Sequence, residues 1–172
     1  MLRRIWSIVL VLLALLLDCT ILPVFSSSPL MPLWTLMTVH CLGLLLGRSS
    51  GALYGLIAGI LVDISVSTPL GLMTALYTGM GYLGGWFARR RIRRPLTPLL
   101  SSLIGFAGYE LFLTVYVLFA SGQMTSGALT DAGIRVLIHM VLSLVLCWLY
   151  EKLLRPSRSR YARILGAPQT LF

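Results

Sequence analysis

The chain has 172 residues, 58% of them hydrophobic and 11% charged, and its mean hydropathy is +0.91. A soluble domain carries about twice that charged fraction, and a disordered chain far less apolar residue, so both classes are excluded. Fourteen Lys and Arg against five Asp and Glu give a net charge of +9, but too little of the chain can be solvated to present a nucleic-acid-binding face. The composition is that of an all-α integral membrane protein with one polytopic domain over residues 1–172.

Six transmembrane spans follow in chain order, at about 5–24, 30–46, 51–66, 70–88, 95–120 and 132–154, with a basic tail over 155–172. Arg3-Arg4 before an apolar run from Ile5 to Leu17 resembles a signal peptide, but no small-x-small cleavage site follows. Asp18 stands where a lipoprotein site needs a small residue before Cys19. The segment therefore reads as a retained first span. Cys19, Cys41 and Cys147 form no CxxC pair and read as small apolar fillers. The second span runs from about Leu30 to Leu46 and ends at Gly47-Arg48-Ser49-Ser50. The third is the short one at about 16 residues, against roughly 20 for a full crossing. Ser67-Thr68-Pro69 ends it, and the fourth span closes at the Arg89–Arg94 run.

With the N-terminus in the cytoplasm, every Lys and Arg except Arg135 falls on the cytoplasmic side, as the positive-inside bias requires. Both termini are then cytoplasmic. The surplus charge becomes a topological signal, centred on Arg89, Arg90, Arg91, Arg93 and Arg94, which also meets anionic lipid headgroups. An acidic cytoplasmic partner docked on that loop is the less economical reading.

Charges within spans normally face protein, water or a partner chain. Here they are Asp18, His40, Asp63, Glu110, Arg135 and His139. Asp18 and Asp63 fall in the outer halves of their helices. Asp131, Arg135 and His139 recur at i, i+4 and i+8, on one face of the sixth helix. That face admits an Asp131–Arg135 pair within the helix, or a pairing of Glu110 with Arg135 or His139 between helices. The cluster Glu110, Arg135 and His139 then reads as an internal clamp, a ligand pocket or proton path, or a contact with another membrane protein. No catalytic residue and no metal site emerges: the acids are scattered, His40 and Cys41 are adjacent and point to different faces, and no HExxH or Walker loop is present. The chain reads as no enzyme and as needing no cofactor.

In the third span Gly51, Gly55, Gly59 and Asp63 recur every four residues, a narrow stripe that lets another helix approach closely. Pro69 and Gly71 turn the chain into the fourth span, where Gly79, Gly81, Gly84 and Gly85 favour close packing again.

This run, Gly51-Ala-Leu-Tyr-Gly55-Leu-Ile-Ala-Gly59-Ile-Leu-Val-Asp63 followed by Thr68-Pro69-Leu70-Gly71-Leu72, resembles the central signature of the MreD family of rod shape-determining proteins. The specific likeness covers about Gly47 to Gly85. Beyond it the likeness is one of topology, and Glu110, Arg135 and His139 match no family motif. The resemblance implies a non-enzymatic, multi-pass component of the bacterial inner membrane that acts with MreC in the cell-wall elongation complex. Through MreC it implies MreB, RodA and a class B penicillin-binding transpeptidase as indirect partners, and regulation of lateral peptidoglycan synthesis as the role. On that reading Gly51, Gly55 and Gly59, or the rim at Asp63, Pro69 and Gly71, belong to the partner-binding surface. The family is also thought to share its six-helix fold with the S-components of energy-coupling-factor transporters. A substrate-binding subunit of a transporter is thus the alternative, with Trp34, His40, Tyr77, Glu110, Arg135 and His139 as pocket candidates. The first span, almost all Leu from Val11 to Leu17, lacks the small-xxx-small pattern such subunits use for docking.

Overall fold

A computed structural model describes residues 2–24, 33–65, 71–89, 96–121 and 127–154. Among them the fold is all-helical: α1 (Leu2–Val24), α2 (Trp34–Leu46), α3 (Arg48–Ser65), α4 (Leu72–Arg89), α5 (Leu96–Ser121) and α6 (Ala128–Leu154). Pro69, Arg90, Arg91, Arg93, Arg94 and the tail over 155–172 lie outside the described residues, as does the side chain of Arg89.

The six expected segments overlap the six helices, with α1, α3 and α6 starting three or four residues earlier than expected and α2 four residues later. α2 starts at Trp34 and has 13 residues, about 20 Å at 1.5 Å per residue, so the shortest helix is the second and not the third. The break after it is a single residue. Gly47 has φ +94° and passes its N–H to the Gly43 carbonyl, so α3 starts at Arg48, three residues before the expected start. A side chain is strained at that φ, which is why glycine makes this corner.

α2 is the axis of the bundle. Its residues from Thr35 to Gly43 are all buried, because α1, α3, α4 and α6 pack around it. The most extensive pairing is α3 on α4, while α5 packs on α6 and α4.

The polarity runs opposite to that of a soluble protein. Outward positions of α1, α5 and α6 carry large apolar side chains such as Leu13, Leu16, Leu111, Phe119, Leu137 and Trp148, whereas Ser7, Thr35, Thr38, His40, Ser101 and Ser143 are buried. Water would invert this arrangement; hydrocarbon favours it. Thr97–Ala120 of α5 and Leu129–Leu153 of α6 are long and apolar enough to cross a membrane.

Candidate functional site

The glycine stripe forms the seam between α3 and α4. A Cβ on Gly55 would strike the Tyr77 carbonyl, 2.8 Å from its carbon and 2.9 Å from Thr78 Cα. One on Gly59 would lie 3.0 Å from Thr74 N, and one on Gly51 2.6 Å from Gly43 Cα where α2, α3 and α4 cross. Gly81, Gly84 and Gly85 answer from α4 with contacts to Gly51, His40 and Arg48. The face expected to receive a partner helix is therefore filled by the chain's own α4, since backbones this close leave no room for a third helix. Gly79 departs from its expected packing role: it points outward, with nothing within 4 Å of an added Cβ. Gly71, Ala75, Gly79 and Tyr82 all lie on that exposed face.

Asp18 and Asp63 each serve the start of the next helix. Asp63 accepts hydrogen bonds from the backbone N–H groups of Gly71, Met73 and Thr74 at 3.0 Å and from Thr74 Oγ1 at 2.6 Å. Gly71 itself has φ +99°. Asp18 accepts the N–H groups of Trp34 and Thr35 at 2.9 Å. A helix start leaves up to four N–H groups without partners, and a carboxylate there also meets the positive end of the helix dipole. These two buried carboxylates answer that demand. Asp63 and Gly71, expected at the rim of a partner surface, thus meet each other at the start of α4, and Asp18 does for α2 what Asp63 does for α4.

Glu110, Arg135 and His139 do meet. Glu110 Oε2 is 3.6 Å from Arg135 Nε and Oε1 is 4.0 Å from His139 Nδ1. Of the two pairings the sequence admits, the one between helices forms: Arg135 turns to Glu110 of α5, and among the described residues no Asp131–Arg135 ion pair forms. His139 also reaches α2, its Nε2 accepting the Leu33 N–H at 3.3 Å. Glu110 and His139 are buried, while the Arg135 side chain stays one-third exposed (33%).

A second polar knot lies deeper, where sequence reasoning singled out His40 alone. His40 Nε2 lies 3.3 Å from Ser101 Oγ and 3.4 Å from Ser102 Oγ, and Ser102 Oγ lies 2.7 Å from Ser143 Oγ. Cys41 turns to another helix and donates to the Ser143 carbonyl, as the adjacency of His40 and Cys41 predicts. Thr38 and Tyr150 share a 3.0 Å bond. The knot ties α2, α5 and α6 together with neutral groups. Its serines are fully buried, so the His–Ser proximity gives no substrate access. The only sequence signal was the serine doublet Ser101-Ser102 within an apolar helix.

Of the six pocket candidates, His40, Tyr77, Glu110 and His139 are buried within the packed bundle. A cavity of about 480 Å³ lies elsewhere, at the corner of α2, α3 and the end of α4, lined by Leu44–Ser50, Gly85 and Ala88. No group of three or more His, Cys, Asp or Glu suited to a metal occurs among the described residues.

The model of the family described as rod shape-determining protein MreD matches residues 1–157. No curated protein and no solved structure matches the chain. The match spans nearly the whole chain, well past the Gly47–Gly85 signature, and the chain belongs to the MreD family of rod shape-determining membrane proteins.

Proposed function

We propose that this protein is a non-enzymatic scaffold of the cell-wall elongation complex in the bacterial inner membrane. It spans the membrane six times with both termini cytoplasmic, as a single domain. It binds an MreC-like partner through that partner's transmembrane segment and helps regulate lateral peptidoglycan synthesis and rod shape. MreB, RodA and a class B penicillin-binding transpeptidase are reached indirectly, and the basic loop and tail rest on anionic headgroups. The family match carries this reading. The cation distribution supports the topology, and the apolar outer surface supports membrane embedding.

The contact surface has to be open. Because α4 fills the Gly51/Gly55/Gly59 face, we place the partner on the rim at Asp63 and Gly71 and on the outward face of α4 that continues from it through Ala75 and Gly79. Small residues there leave a shallow groove into which a helix packs closely. Leu at Gly55 or Gly59 does not test this, since it splits α3 from α4. Leu at Gly79 does, because no described residue lies within 4 Å of a Cβ added there. Co-purification of an MreC-like partner in mild detergent is expected with the wild type and to be lost with Gly79→Leu and Ala75→Leu, at unchanged helicity and thermal stability. Undiminished recovery with both variants overturns the placement. Recovery of ATPase and transporter subunits in place of elongation proteins overturns the function.

A further inference from the structure

The geometry points to a proton-operated latch at His139 that fastens the start of α2 to the α5–α6 pair. The ring is 1% exposed, and its Nε2 accepts the Leu33 N–H at 3.3 Å. A ring nitrogen that accepts carries no hydrogen, so the neutral imidazole bears its proton on Nδ1. Nδ1 faces Glu110 Oε1 at 4.0 Å, beyond hydrogen-bond distance. In this state the ring is bonded to the start of α2 and stands off from Glu110.

A second proton reverses both contacts. Nε2–H and Leu33 N–H are then two donors face to face, so that bond breaks. The imidazolium is repelled by the positive end of the α2 dipole. It is attracted by Glu110, where a shift of about 1 Å makes a charge-assisted bond.

The charged and titratable groups around the ring come from every neighbouring helix. Glu110 of α5 draws the cation, and Arg135 on α6 opposes it from the other carboxylate oxygen. Tyr109 of α5 is buried within electrostatic reach of Glu110, Asp18 and Arg135. From α1, Asp18 keeps the next two N–H groups of α2, those of Trp34 and Thr35. On the α2 side His40 is held apart by Phe106, whose ring lies 5.6 Å from one imidazole and 5.4 Å from the other. Asp18 and His139 thus hold three consecutive N–H groups at the start of α2, one through a carboxylate and one through an imidazole. Protonation of His139 releases the second hold and leaves the first, so the start of α2 pivots on Asp18 rather than unfolding.

The test uses the full chain in detergent micelles with ¹⁵N-labelled histidine. There are two histidines, and a His139→Gln sample assigns them. At neutral pH His139 is expected as the Nδ1–H tautomer, and as pH falls it becomes doubly protonated while the Leu33 amide resonance shifts. In a background with Trp6, Trp86 and Trp148 replaced by Phe, Trp34 is expected to lose protection from aqueous quencher over the same pH range. His139→Gln, which keeps an acceptor and cannot titrate, holds Trp34 protected throughout. An Nε2–H tautomer at neutral pH overturns the latch, as does a Trp34 transition that persists in His139→Gln. The absence of any His139 titration down to the pH at which the bundle unfolds overturns it too. The tautomer is read on the wild-type residue, so the first criterion stands even if the Gln variant fails to fold.

Discussion

Alanine at Gly55 and alanine at Gly79 are the same chemical change in neighbouring helices, and they should have opposite signs. In a helix interior Ala is favoured over Gly by about 1 kcal/mol. At Gly79 nothing lies within 4 Å of the new methyl, so only this propensity term acts, and stability should rise by about 0.5–1 kcal/mol. At Gly55 the methyl would sit 2.8 Å from the Tyr77 carbonyl carbon and 2.9 Å from Thr78 Cα, with the carbonyl oxygen closer still. These are backbone atoms and cannot swing aside, so α3 and α4 must part by about 0.5–1 Å. The contacts at Gly51 and Gly59 lie on the same stripe and loosen together. Overpacking of this kind costs about 1–3 kcal/mol, leaving a net loss of about 1–2 kcal/mol after the propensity gain. Unfolding in mixed micelles, with rising mole fraction of a denaturing detergent and intrinsic fluorescence as the probe, measures both variants against the wild type. A Gly55→Ala protein as stable as Gly79→Ala would refute the seam geometry.

Asp63→Ala should lower stability by about 2–3 kcal/mol, because it takes the shared acceptor from three backbone N–H groups. Thr74→Val, which removes only the hydroxyl donor, should lose about 1 kcal/mol; equal losses in the same detergent titration would contradict the capping role. Ser102→Ala and Ser143→Ala should each cost about 1–2 kcal/mol, and the double variant clearly less than their sum, since the two hydroxyls bond each other. Additivity in that cycle would dissolve the knot. Tyr150→Phe should cost about 1 kcal/mol through its bond to Thr38, and no loss at all would exclude that bond.

The helices were legible because hydrocarbon demands apolar runs of known length, and the residues Gly47, Pro69 and Gly71 punctuate those runs in the sequence. The meeting of Glu110 with Arg135 and His139 was legible too, since so few charges were available to neutralise one another. Which face of which helix a glycine serves was not. Gly55 and Gly79 look alike in the chain, and only the relative rotation of α3 and α4 makes one a seam and the other a surface. The capping role of Asp18 was hidden for a related reason: its partners at Trp34 and Thr35 are 16 and 17 residues away, while capping patterns readable in sequence are local. The serine knot draws on three helices and uses residue types that are unremarkable singly.

The three acids of the odd-numbered helices follow one logic. Asp18 on α1 holds the start of α2, Asp63 on α3 holds the start of α4, and Glu110 on α5 faces Arg135 and His139 of α6. Each carboxylate thereby fastens its helix to the one that follows, which is how a charge becomes tolerable within the bundle. The first two are satisfied by backbone N–H groups, joined at Asp63 by the Thr74 hydroxyl, and as none of these partners titrates they form fixed hinges. The third faces side chains, one of which takes up protons and one of which remains partly exposed. If a signal enters this bundle it must do so at a joint whose partners can change state, and of the three joints only the one at Glu110 has that property. The outward face of α4 hangs from the fixed joint at Asp63, so a partner seated there would meet a rigid surface. Adjustment of the bundle would then come from the start of α2 and the α5–α6 pair.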